Sequence, residues 1–167
     1  MGLLDQVTME RQKNDQWCWA AVTSSVFKAL QNAPITQEAV VCQVLNNPAC
    51  SLQTTPTECD QPFLLDIALP QICQCAVTVQ GVLPFSDLQD QIDKLNRPVA
   101  IGLALSTPLG SVIHYCLLKG CDDTTGQQEV IMLDPAHMAA GESHISYSDL
   151  CDGAVLGAVW TQSFLIQ

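Results

Sequence analysis

Apolar residues recur at helical spacing through WCWAAVTSSVFKALQ, at Ala20, Val22, Val26, Ala29 and Leu30. The period predicts a buried helix from Trp17 to Gln31 with Cys18 in its first turn. A turn around Pro34 leads to Thr36, a plausible N-cap, and QEAVVCQVL then reads as a second helix stopped by Asn46-Asn47-Pro48. Residues 49–60 hold Pro, Ser, Thr and two cysteines, the mark of an irregular loop held by a bridge. A short helix is expected from Pro62 to Leu69, ended by Pro70, followed by an extended stretch from Cys75 to Gln80. Ser86-Asp87-Leu88-Gln89 reads as a capping box opening a helix to about Asn96.

Beyond that point the pattern changes to short runs rich in branched residues. Val99–Leu105, Val112–Lys119 and Glu129–Leu133 are predicted strands, with Gly-Ser and Asp-Asp-Thr-Thr-Gly as the turns between them. His144–Tyr147 and Ala158–Ile166 add two more. Helices first and an antiparallel sheet afterwards predict an α+β domain over 1–167, with a helical part to about residue 97 and a sheet part from about 98.

Composition narrows the function. The chain has 167 residues, 48% hydrophobic and 14% charged, enough for one domain with its own core. A net charge of -11 with only six Lys and Arg argues against nucleic acid as a partner. No apolar run is long enough to span a membrane, and no signal peptide is visible in MGLLDQVTMERQK. The Met-Gly start lacks the Ser or Thr that N-myristoylation wants where Gln6 stands. Nine cysteines favour an exported protein, with a cytoplasmic one as the alternative. An odd count leaves at least one sulfur unpaired, and no pairing follows from the sequence. Cys73-x-Cys75 and Cys116-x4-Cys121 do not have the paired spacing of a zinc knuckle. No metal or other cofactor is called for.

The chemistry gathers around Cys18. A nucleophilic thiol must ionise near neutral pH, and a helix N-terminus and a nearby imidazolium both favour the thiolate. The helix start supplies the first. His114, in the strand SVIHYCLLKG, supplies the second, sharing one face with Val112 and Cys116. An imidazole needs an acceptor to fix its tautomer. Asp134, at the end of EVIMLDP, is the expected orienter, with Asp122 and Asp123 as weaker choices. A tetrahedral oxyanion needs donors, and Gln12 or Gln16 can add a side-chain amide to the helix-start N–H; spacing favours Gln12. Trp17 and Trp19 read as packing residues, and His137 and His144 as surface or turn histidines.

These residues resemble the papain-like cysteine peptidases. The sequence is most similar to their short bacterial branch, with its bacteriocin-leader-processing peptidases and plant-pathogen effector proteases. Gln12 stands six residues before Cys18, Trp19 directly follows it, a strand carries His114, and Asp134-Pro135 follows the next strand. The likeness extends to the strand entry at Arg97-Pro98-Val99 and the Trp160 strand. It implies a papain-like fold, catalytic Cys18, His114 and Asp134, and Gln12 in the oxyanion hole. Two departures stand out. Asp15-Gln16-Trp17 replaces the papain segment before the nucleophile, and Asp takes the place of papain's Asn, as in the bacteriocin-processing type. No propeptide is visible.

The leading expectation is therefore a thiol peptidase acting on a protein or peptide through an acyl-enzyme. The same triad serves a glutamine deamidase or a transglutaminase-type effector, and a catalytically inactive binding domain is the reading from another class. Substrate, cleavage preference and oligomeric state are not encoded legibly.

Overall fold

The computed structural model describes residues 2–51, 56–74, 76–108, 110–136, 142–155 and 157–167. Cys75 and His137 lie outside the described residues.

The first long helix, α1 (Cys18–Gln31), forms where the apolar period predicts it and buries Cys18 to Thr23, Ser25 and Val26. Its C-terminus closes on Asn32 in the left-handed region, a conformation Asn tolerates. Helix α2 (Gln37–Val44) is capped by Thr36, whose hydroxyl accepts the Ala39 N–H at 3.1 Å. The expected bridge is present, joining Cys50 to Cys59, and both sulfurs are fully buried.

Helix α3 (Leu65–Cys73) corrects two expectations. It begins later than Pro62 and runs through Pro70 instead of stopping there. Pro70 forfeits one hydrogen bond within the helix. The buried stripe of Leu65, Ala68, Leu69, Ile72 and Cys73, on a helix packed against α1, outweighs that loss.

The capping box is a second correction. Helix α4 (Phe85–Gln89) starts before Ser86, with Pro84 at its N-cap position and no side-chain cap. The Ser86 hydroxyl turns to the Asp87 carboxylate at 3.2 Å. From Asp90 to Lys94 the coil widens into a π turn, which still buries Ile92.

The strands form one antiparallel sheet. β1 is Gly2–Leu3, β2 Ala76–Gln80, β3 Val99–Thr107, β4 Gly110–Asp122, β5 Glu129–Leu133, β6 Ser143–Ser146 and β7 Ala158–Ile166. Their order is β2-β7-β3-β4-β5-β6, with β1 added alongside β4. Two strands thus come from the first 97 residues. Gly110 and Ser111, expected as a turn, belong to β4 and pair with Thr107 and Ser106. Tyr147, expected in a strand, opens the short helix α5 (Tyr147–Cys151) and sends its hydroxyl to the Leu83 carbonyl at 2.6 Å. Helix α1 packs on β4, so the core lies between the helices and the centre of the sheet. Among the described residues, no helix is long and apolar enough to cross a membrane.

Candidate active site

Cys18 is the first residue of α1, and the position before it, Trp17, offers no side-chain cap. No acidic residue occupies the first turn either. The first N–H groups of a helix lack partners within it, so this end presents donors and positive potential beside the sulfur. Cys18 is nearly buried, at 9% exposure.

The sheet delivers the other two groups. Leu117 on β4 lies opposite Leu133 on β5. One step further along the antiparallel register sets Asp134 across from Cys116, with His114 two residues away on the same face of β4. The His114 Nε2 meets Asp134 Oδ1 at 2.7 Å, so the bond to the carboxylate uses one ring nitrogen and leaves Nδ1 as the other. The thiols of Cys18 and Cys116 lie close enough to the imidazole to favour its charged form. Asp134 is held in turn: its Oδ1 accepts the Ala136 N–H at 2.9 Å. The His114 and Asp134 side chains are 14% and 6% exposed.

Burial disfavours the imidazolium, but the hydrogen bond to Asp134 and the nearby thiols of Cys116 and Cys18 outweigh it and push His114 up to about 12. Burial pushes Cys116 up to about 11 against the pull of the ring, so this thiol stays neutral beneath it. Ligand atoms of His114, Cys116 and Asp134 lie within 4.8 Å of one another. Among the described residues this is the one group with the makings of a metal site. The direct His114–Asp134 hydrogen bond already occupies two of its atoms, which reads as a base and its orienter.

Cys18, His114 and Asp134 therefore come together. The other carboxylates considered do not join them. Asp122 accepts the Thr124 N–H at 2.9 Å, and Asp123 accepts from Gln89 at 3.1 Å. His144 is exposed on β6.

Gln12 lies in a loop fixed at both ends of its reach. Its backbone N–H donates to the Pro135 carbonyl at 2.9 Å, next to Asp134. The buried Gln37 side chain binds Lys13 N–H at 3.0 Å and the Arg11 carbonyl at 2.8 Å. The Gln12 amide nitrogen donates to the Asn14 and Asp15 carbonyls at 3.0 and 2.7 Å. Both amide hydrogens are thus engaged within the loop, and donating to an oxyanion requires exchanging one of them. The Gln16 side chain instead faces a groove of about 320 Å³ with Pro62, Phe63, Leu64, Val112, Ile113 and Tyr115. Sequence reasoning did not single out that groove. The exposed apolar residues Leu64 and Val112 were its only signal, and exposure is not visible in a sequence.

A thiol at an open helix start, packed on an antiparallel sheet that carries an imidazole and its carboxylate, is the arrangement of the papain-like cysteine proteases. Residues 3–149 match the family described as papain-like cysteine protease AvrRpt2, and the chain belongs to that family. Its fold is similar to that of digestive procathepsin L2 proteinase from the larval midgut of Tenebrio molitor, at a TM-score of 0.55 and 16% identity. The likeness covers 98% of this chain and 66% of that one, so the chain spans about two thirds of the length of that proteinase. No curated protein matches the sequence.

Proposed function

We propose that the protein hydrolyses peptide bonds with Cys18 as nucleophile, His114 as general acid and base, and Asp134 as the orienting residue. The observation that carries this reading is the His114 ring, bonded to Asp134 at 2.7 Å and held near the Cys18 thiol at the start of α1. The Cys18 thiolate attacks the carbonyl carbon, forming a C–S bond and a tetrahedral oxyanion. The oxyanion takes the N–H of Cys18 and, after one of its loop bonds is exchanged, the Gln12 amide. His114 passes its proton to the leaving amine as the C–N bond breaks. Water, deprotonated by His114, then releases the acid and restores the thiolate.

The apolar groove lined by Val112, Ile113 and Tyr115, from the strand that carries His114, supports an extended chain as substrate, with an apolar side chain seated among Phe63, Leu64 and Val112. We further propose that the protein works in an oxidising compartment, a reading supported by the Cys50–Cys59 bridge.

Mass spectrometry of a protein substrate mixture treated with the wild type and with Cys18→Ala tests the reaction class. Cut chains that depend on Cys18 are expected. A gain of about one dalton without a cut points to deamidation, which the same chemistry permits, and overturns the peptidase reading.

A further inference from the structure

Three consecutive residues of the bridged loop grip the chain on both sides of Cys18. The Gln16 backbone N–H donates to Asp60 Oδ1 at 2.9 Å. The Trp17 indole N–H donates to the Cys59 carbonyl at 2.8 Å, and that of Trp19 to the Gln61 carbonyl at 3.1 Å. Both indoles are fully buried, so each N–H needs an acceptor in place. Residues 59–61 supply both acceptors. This segment begins on the last residue of a single 3-10 turn, Thr57–Cys59, and Cys59 is tied to Cys50. Asp60, between the two carbonyls, takes the last backbone N–H before the Trp17 cap position, where no side chain caps the helix.

We propose that Asp60 and the Cys50–Cys59 bridge are positioning elements for the reaction, setting the Gln16–Trp19 backbone that aims the Cys18 thiol and N–H. This rests on the assignment of Cys18 as nucleophile. It has a redox consequence. A dithiol reductant passes two electrons and two protons to the bridge, leaving two thiols and a cyclic disulfide of the reductant. The clamp then loses its anchor while α1 and the sheet keep their own packing. The enzyme becomes less active when the bridge is reduced, although its catalytic thiol needs to be reduced to work.

The test is the rate of Cys18 alkylation by iodoacetamide at about pH 5.5, mapped by mass, in the wild type, Asp60→Asn, Asp60→Ala and Cys50→Ser/Cys59→Ser. All are measured well below their melting transitions. Slow labelling in the wild type overturns the nucleophile assignment itself, and this proposal with it. Fast labelling in the wild type that falls about tenfold or more in Asp60→Ala and with the bridge open supports the clamp, since small misplacements at a reacting centre are costly. Asp60→Asn keeps an oxygen acceptor and is expected within about threefold of the wild type. Fast labelling that is unchanged in every folded variant, even with lowered melting temperatures, shows a purely structural loop and overturns the clamp alone. If the double serine variant does not fold, wild type reduced with dithiothreitol and freed of it without air replaces it. Adducts on Cys50 and Cys59 then report the open bridge directly.

Discussion

Asp134 Oδ1 is shared between His114 Nε2 at 2.7 Å and the Ala136 N–H at 2.9 Å. One oxygen thus fixes the imidazole while the turn after β5 fixes that oxygen. Asp134→Ala removes both the charge and the acceptor and is expected to lower kcat/KM by about a thousandfold, within the range set by losing an orienting carboxylate. Asp134→Asn retains an oxygen able to accept from both groups, so its loss is expected to be smaller than that of Asp134→Ala. Removing the carboxylate charge also favours the neutral ring. The alkaline limb of the pH–rate profile therefore moves to lower pH in Asp134→Asn. An unshifted limb contradicts the coupling.

The raised affinity of His114 for its proton has a stability consequence of fixed sign. Its folded value of about 12 lies above the ordinary 6.5, so the folded state holds the proton more tightly. That stabilisation is complete below about pH 6.5 and declines as pH rises through about 12. Cys116, pushed up to about 11, acts in the same direction at the alkaline end. Urea unfolding from pH 6 to 10 is expected to show stability falling with pH in the wild type. The slope is expected to be shallower in His114→Ala, and equal slopes would contradict the charged ring.

Gln12 and Gln16 make different claims on the oxyanion. The Gln12 loop is pinned to Pro135 and Gln37, which ties its backbone to the turn after Asp134, whereas Gln16 lines the apolar groove. Gln12→Ala is expected to lower kcat about a hundredfold with KM little changed, the pattern of a lost transition-state donor. Gln16→Ala is expected to change kcat by less than about threefold. Kinetics on one peptide substrate separate the two, and a reversed order would transfer the role to Gln16.

What was legible in the sequence follows from the range of the forces involved. The limits of α2 and β7 were readable because local caps and unbroken apolar runs set them. Cys116 beside His114 was implicit in strand alternation. Elements set by tertiary packing were misread. Pro70 sits inside α3 because of a buried stripe, and Ser86 is not a cap because Pro84 already starts the turn. The grip of residues 59–61 on Gln16, Trp17 and Trp19 had no sequence signal beyond the two loop cysteines. It spans more than forty residues and uses two backbone carbonyls, which every residue carries.

The groove lined by Leu64 and Val112 gives a prediction about binding rather than chemistry. Leu64 and Val112 are 54% and 51% exposed, an arrangement that leaves apolar surface in water until a substrate covers it. Val112 shares the face of β4 that carries His114, two residues before it, yet its side chain has no polar group with which to bond His114 or Asp134. Val112→Arg places a charge where an apolar side chain is expected to lie. KM for a peptide with a large apolar residue at that position is expected to rise about tenfold or more, the scale of losing one buried apolar contact, with kcat nearly unchanged. Iodoacetamide labelling of Cys18 is expected to keep its wild-type rate, because that small reagent does not use the groove. A fall in kcat with no change in KM would instead place Val112 among the groups that hold His114, and the substrate's apolar side chain would then lie elsewhere.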